Sequence, residues 1–384
     1  MSRPAAVYLD HAATSPVRPE AAAAVARELE LGGNASSVHA MGRAARDRIE
    51  RAREAVAALV AADPERTLFT SGGVEADNLA VTSAVAAGSR RLLVGVTEHV
   101  AVSAAATATG LPVETVPVNG EGVADLAWLA DRLRRWDGAD GRPFVALMLA
   151  NNETGVIHPI PEAAALVRAA GGWLHVDAVA AAGKIAVDLD ALGADTLAVS
   201  AHKLGGPQGV GSLHWSERVE PARALHGGGH ERGRRAGTEN APGIAGYAVA
   251  ARLAAEHLPR MAEQAAWRDA AAARLKAAGV RVAGEGAPRT PATLSIATAD
   301  LVSHMQVMGL DLEGVMVSAG SACSSGKVKP SGVQEAMGFG PVAAGALRAS
   351  GGWPTTQADW ARFADAWLLV HSRATRRARV PEFA

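Results

Sequence analysis

A single cysteine, Cys323, stands in 384 residues, so the chain cannot close an internal disulfide, and no cluster of Cys and His has the spacing of a structural zinc site. Cys323 is therefore expected to be a free thiol. Lysine is scarce too: of 38 basic residues only Lys184, Lys203, Lys276, Lys327 and Lys329 are not Arg. Arginine replaces lysine on a solvated surface but cannot form a Schiff base, so each remaining Lys merits a reason. No uninterrupted apolar run reaches the roughly 18 residues of a membrane span, and the amino terminus lacks a charged region followed by an apolar signal segment. A soluble, cytoplasmic protein is expected. An excess of one charge is also missing: 38 basic against 39 acidic side chains leave no footprint for nucleic acid or an anionic membrane surface. Small polar substrates and protein partners are the expected ligands.

What is present has the rhythm of an α/β protein, and 384 residues are too many for one ordinary core. From about Pro19 to Ala254, Ala-rich helical stretches alternate with short apolar runs that end in Gly, Ser, Asn or His. This predicts a large domain with a mostly parallel sheet flanked by helices. Strands are predicted at Thr67–Thr70, Arg91–Val96, Phe144–Leu149, Trp173–Val176 and Thr196–Ser200, and helices at Val38–Ala61, Glu75–Ala87 and Ile160–Ala170. Beyond Ala254 the pattern becomes a long helix near Glu256–Ala278, a few strands, a Ser/Gly loop around Cys323, and a closing helix near Gln357–Arg373. The expected division is a large domain of residues 19–254 and a smaller α+β domain, built from 1–18 and 255–384, that carries the Cys loop.

Several strands stop directly before polar clusters: TSGGVE, TEH, NNETG, HVDA and SAHK. In open, mostly parallel sheets ligands lie beyond the carboxyl ends of the strands, so these clusters should converge. Lys203 follows TLAVS and precedes GGPQGVG. A partly desolvated amine there is a nucleophile for an aldehyde cofactor, although a surface Lys is the commoner case. Asp177, in LHVDA, could keep a cofactor's pyridine nitrogen protonated; its rival role is a helix N-cap. TSGGVEADN runs from strand into helix, where exposed N–H groups suit a phosphate. The glycine runs GGPQGVG and HGGGHERG match neither GxxxxGK[ST] nor GxGxxG after a strand, which disfavours a nucleotide site. His99 could stack on a cofactor ring and His202 could orient a phosphate or relay protons. Cys323, in SAGSACSSG, has small polar neighbours instead of the apolar ones of a core cysteine. Lys327 and Lys329 could lower its thiol pKa. Arg348, in ALRASGG, is placed to deliver a bidentate clamp to a carboxylate, against the plainer reading of a surface charge.

Taken in order, YLDHAAT, GNASSVHAMGRAAR, TSGGVEADNLA, TEH, NNETG, HVDA, SAHKLGGPQG, GGGHERGRRAGTEN, GSACSSG and LRASGGW resemble the NifS/IscS-like cysteine desulfurases, fold-type I enzymes of the class V aminotransferase group. The resemblance spans almost the whole chain. It implies pyridoxal 5′-phosphate (PLP) carried by Lys203, with Asp177 on the pyridine nitrogen, His99 over the ring, and Asn152 near the ring hydroxyl and the substrate. It also implies Ser200 and His202 on the phosphate, Gly73 and Val74 in the phosphate loop, and Thr238 reaching across a homodimer to the partner's phosphate. Arg348 corresponds to the arginine that takes the substrate carboxylate, and Cys323 to the nucleophile that becomes a persulfide. The implied reaction converts L-cysteine to L-alanine and passes sulfur to an acceptor: SSGKVKPSG resembles the longer-loop branch that serves iron–sulfur scaffolds, while a tRNA-thiolating enzyme and a thio-cofactor pathway stay open as acceptors. Two positions depart from the pattern. Val74 stands where Thr is usual and Ala180 where Gln is usual, a loss of two polar contacts of about 0.5–1.5 kcal/mol each. Two other readings stay open: a PLP lyase acting on selenocysteine or another β-substituted amino acid, and a degenerate member that binds sulfur-transfer partners without turnover.

Overall fold

The computed structural model describes residues 6–320 and 330–378. A short first strand, β1 (Val7–Tyr8), joins the carboxyl-terminal half of the fold. The next seven strands are β2 (Thr67–Thr70), β3 (Leu92–Gly95), β4 (Val113–Val116), β5 (Phe144–Ala146), β6 (Trp173–Asp177), β7 (Thr196–Ser200) and β8 (Gly211–Trp215), and they form one sheet in the order β2-β8-β7-β6-β5-β3-β4. Strands β4, β3, β5, β6 and β7 are mutually parallel, while β8 runs antiparallel between β7 and β2. Helices cover both faces, which is why the central strands read as short continuous apolar runs and not as an alternation. Phe69, Val145, Leu174 and Leu197 fill one face, and Leu68, Phe144, Trp173 and Leu213 the other.

The predicted elements are present with shifted ends. The run expected to end at Leu149 is a strand only to Ala146, yet Leu147 and Leu149 still donate backbone hydrogen bonds to His175 and Asp177 at 3.0 and 2.8 Å. Those bonds carry the chain out to Asn151 and Asn152 beside the end of β6. The helix expected over Val38–Ala61 spans Ala40–Ala58, begun by His39, whose Nδ1 accepts from the Gly42 amide at 3.3 Å. Helices Gly73–Ala86 and Ile160–Ala169 fall where expected, as do Leu258–Lys276 and Gln357–Ala378.

Strands β9 (Arg281–Val282), β10 (Thr293–Ala297), β12 (Ser318–Ala319) and β13 (Leu347–Ser350) form a second, antiparallel sheet, whereas β1 pairs in parallel with β11 (Val315–Met316). The two long carboxyl-terminal helices close its core over Leu9, Leu294, Ile296, Leu347, Trp360, Phe363 and Trp367. The segment after β1 crosses back to the large sheet: Ser15 donates its amide to the His202 carbonyl at 2.9 Å. Among the described residues, no helix is long and apolar enough to cross a membrane.

Candidate active site

The carboxyl ends of β5, β6 and β7 and the start of helix Gly73–Ala86 surround a cavity of about 300 Å³. Nine of the predicted residues line it: Gly73, Val74, His99, Asn152, Asp177, Ser200, His202, Lys203 and Arg348. Ala180, one of the two departures, lines it too. Thr238 does not; it borders a separate cavity of about 150 Å³ with Arg235 and Asn240. Cys323, Lys327 and Lys329 lie outside the described residues.

Lys203 ends a single 3₁₀ turn after β7, and its Nζ donates to the carbonyls of Ala13, at 2.7 Å, and Ala12. The AAT of the amino-terminal motif is thus folded onto the lysine. Beside it, His202 Nδ1 is 3.1 Å from Thr14 Oγ1, and burial, followed by the nearby Lys203 and Lys184, pushes the His202 pKa down to about 4. The ring is neutral near pH 7.

Asp177 closes β6. Its Oδ1 accepts from the Val179 amide at 2.8 Å, so it caps a turn and not a helix, while its carboxyl still borders the cavity. Burial raises its pKa against the opposing pull of that bond, His99 and Lys203. The turn it caps packs on the helix start: a Cβ on Gly73 would sit 2.8 Å from Val179 Cγ2. Behind Gly72, with φ of +153°, a Cβ on Gly211 would lie 2.7 Å from both the Gly72 carbonyl carbon and the Val199 oxygen. Glycine at these positions lets the first turn of the helix, with its unpaired N–H groups, reach the cavity.

His99 is the N-cap of helix Val100–Ala108, a role its sequence context had not suggested. Its Nδ1 accepts from the Ala101 amide at 3.1 Å, which leaves the proton of a neutral ring on Nε2. Arg348, on β13, is 2% exposed; its Nη2 donates to Asp10 at 2.8 Å and its Nη1 to the Asn152 carbonyl at 3.1 Å. The surface-charge reading of Arg348 is overturned, and its buried Nε has no partner.

Sequence reasoning missed the carboxyls packed behind Asp177. Asp77 lines the cavity with Oδ1 3.1 Å from His175 Nε2, and burial raises its pKa well above the ordinary value, helped by Asp177 and Glu98. Glu98, whose Oε1 accepts from the Met148 amide at 2.5 Å, is pushed up to about 8 by burial and then by Asp177. Lys184 was also unassigned. Its Nζ donates to the Ala180 carbonyl at 3.0 Å, and burial lowers its pKa to about 7. Both acids stand inside the quoted clusters TSGGVEADN and TEH, and charge within such a cluster was the available signal.

Chemically, the cavity offers an amine, a buried carboxylate, a helix N-terminus and a planar cation. Residues 7–363 match the Aminotransferase class-V family. The chain is similar to a cysteine desulfurase of Cereibacter sphaeroides, 40% identical over 369 residues that cover 92% of each protein. It is also similar to an IscS-like cysteine desulfurase of Mycobacterium tuberculosis, 36% identical over 387 residues and 97% of each. Among solved structures, a NifS-like protein from Rickettsia africae superposes with a TM-score of 0.87 at 27% identity, covering 96% of this chain and 99% of that one.

Proposed function

The chain belongs to the class-V aminotransferase family, among its cysteine desulfurases, and on that premise we propose that it converts L-cysteine to L-alanine, with sulfur taken up by Cys323 and passed to a protein acceptor. The observation that carries the reading is that Lys203, Asp177 and the start of helix Gly73–Ala86 face one cavity. That set fits PLP: an amine for its aldehyde, a buried carboxylate for its ring nitrogen, and unpaired backbone N–H groups for its phosphate. When bound, PLP supplies an electron sink that lets an amino acid lose its α-proton.

In this proposal Lys203 anchors the cofactor, and Asp177 keeps the ring nitrogen protonated. Gly73, Val74, Ser200 and the neutral His202 hold the phosphate. Val74 would give only its backbone N–H there, and Ala180 has no side-chain amide for the ring hydroxyl, so the cofactor would have fewer polar contacts than the family pattern provides. His99, its Nδ1 engaged by Ala101, would lie against the cofactor ring and move protons there. Arg348, held on Asp10 and Asn152, is oriented before the substrate carboxylate arrives, which lowers the cost of binding it. Thr238 lies away from its own cavity, which supports a homodimer in which it serves the partner's site. The two sheets with their separate cores support the division into a large domain, 19–254, and a small one, 1–18 with 255–384. An iron–sulfur scaffold is the proposed acceptor.

The test is quantified alanine and sulfide release from L-cysteine, with PLP and a thiol reductant, in wild type, Cys323→Ser and Lys203→Ala. Equal alanine and sulfide in the wild type, and neither product in the variants, is the expected result. Elimination that survives in Cys323→Ser would move the assignment to a lyase, and an inactive wild type would overturn it.

A further inference from the structure

Glu153 follows Asn152 in the NNETG turn but does not line the cavity. Its Oε2 accepts a 2.5 Å hydrogen bond from Ser331 Oγ. Ser331 is buried and starts helix Gly332–Ala336, its Oγ accepting from the Gln334 amide at 3.1 Å. The hydroxyl proton is therefore directed to Glu153. Gly320 packs on the same point: a Cβ there would lie 2.8 Å from Ser331 Cβ and 3.5 Å from Glu153 Oε2. Gly320 and Ser331 are the residues that bracket 321–330, the stretch containing Cys323.

The turn itself is held firmly. The Glu153 amide donates to Asn151 Oδ1 at 3.0 Å, and Asn151 Nδ2 donates to the Thr97 carbonyl at 3.1 Å. The Asn152 carbonyl takes Arg348 Nη1 at 3.1 Å. One residue of the turn thus fixes the carboxylate-binding arginine, and the next fixes the root of the segment that bears the thiol. Burial keeps the Glu153 pKa up at about 7 despite Ser331, Arg348 and His99. Neither Ser331's bond nor the packing of Gly320 depends on which form Glu153 takes, since both forms accept.

We propose that Glu153 is a positioning residue for sulfur transfer, tying the two ends of the Cys323-bearing segment, through Ser331, to the turn that sets Asn152 and Arg348. The inference rests on the desulfurase reading and deepens it. Without the tie, cofactor and L-cysteine still bind, but the thiol meets the substrate sulfur in the right geometry less often. A misplacement of about 1 Å is enough to cost up to about a hundredfold in rate.

The experiment is a single turnover of the PLP-loaded enzyme with L-cysteine, quenched with a thiol alkylator, with persulfide on Cys323 read by mass and the cofactor absorbance change followed in parallel. Glu153→Ala and Ser331→Ala are expected to slow persulfide formation by about tenfold or more, while the absorbance change on adding L-cysteine keeps its wild-type rate. Glu153→Gln, whose amide oxygen accepts the same bond, should restore most of the rate, and the Glu153→Ala/Ser331→Ala double variant should be no slower than either single one. Wild-type persulfide rates in Ser331→Ala and Glu153→Ala overturn the inference, and so does a Glu153→Gln as slow as Glu153→Ala. Slowing of persulfide and absorbance change together overturns it as well, because that marks a general structural defect. Absence of Cys323 persulfide in the wild type is a different failure, which removes the desulfurase reading itself.

Discussion

Replacing Glu231 by alanine should destabilise the fold far more than a loop position would suggest. Glu231 sits in the glycine-rich HGGGHERG segment, yet its carboxylate is buried against Arg53, with Nη1 and Nη2 donating at 2.7 and 3.1 Å and both side chains 3% exposed or less. The same carboxylate accepts from the Phe69 amide of β2 at 2.9 Å. Removing one partner of a buried pair costs about 3–5 kcal/mol, because a charge is left unpaired. Glu50, half-buried, still reaches Arg53 Nε at 3.1 Å, which argues for the low end, about 3 kcal/mol. The orphaned Phe69 amide adds about 1 kcal/mol. Glu231 has φ of +45°, and alanine bears the same backbone strain as glutamate there, so the substitution isolates the carboxylate; glycine would not. The assay is the urea midpoint at unchanged m-value, which should report a loss of about 4 kcal/mol, partly recovered in Arg53→Met/Glu231→Ala as the unpaired cation is removed. A loss under about 1 kcal/mol, or a double variant no more stable than Glu231→Ala, would refute the reasoning.

Other outcomes follow from the same geometry. Gly211→Ala places a methyl 2.7 Å from the Gly72 backbone and should push the helix start out of the cavity, weakening PLP affinity by about tenfold or more in a fluorescence titration; unchanged affinity would show that the helix start does not hold the phosphate. Val74→Thr restores a hydroxyl at the same helix start and should tighten PLP by about 0.5–1.5 kcal/mol, whereas a weaker or equal Kd would mean that the position does not face the phosphate. His158 is buried with Nδ1 accepting from the Ala124 amide at 3.1 Å, and burial lowers its pKa from 6.5 to about 4. The fold holds it neutral, so its contribution is complete above pH 6.5 and is lost as pH falls toward 4. The unfolding free energy of wild type relative to His158→Gln should fall by about 1.4 kcal/mol per pH unit over that window, and a pH-independent difference would count against the assignment.

How much of this was legible beforehand depended on where polar groups find their partners. Strands β3, β5, β6 and β7 are apolar runs buried on both faces and were visible as such. β4 was not, because VETV is an edge strand whose Glu114 is satisfied by Arg91 and Arg132. Nor was β8, where His214 is buried between Thr67 Oγ1 of β2 at 2.9 Å and Ser212 Oγ of its own strand at 2.8 Å; a histidine in GSLHW reads as polar until its cross-strand partner Thr67 is known. The lining of the candidate cavity was legible in its strand-end clusters, since position at a strand end is a local property. The contacts that hold its side chains were not: the carbonyls on Lys203 lie about 190 residues away in sequence, and Asp10 meets Arg348 across 338.

The helix that points at the cavity poses an electrostatic conflict, and its solution explains why the charges there are arranged as they are. Acidic residues stabilise a helix start but repel an anion bound to it, and Gly73–Ala86 carries both Glu75 and Asp77 in its first turns. Glu75 is neutralised by pairing: Arg235 donates to it at 2.9 Å and the Ser71 amide at 2.6 Å, and against the cost of burial these hold it ionised below its usual range. Asp77 is neutralised differently. Buried, and crowded by Asp177 and Glu98, it has its pKa raised well above the ordinary value, which favours its uncharged form. Like-charged carboxyls packed this closely do not all ionise, and the group best placed to keep its charge when a cation arrives is Asp177, which faces Lys203 and His99. Pairing at Glu75 and the raised pKa of Asp77 both reduce negative charge at the helix start, while Asp177 offers a site for a positive charge, the polarity that a phosphate-bearing pyridinium would need. Arg235, drawn into this balance by Glu75, also ties the segment bearing Thr238 to the start of that helix.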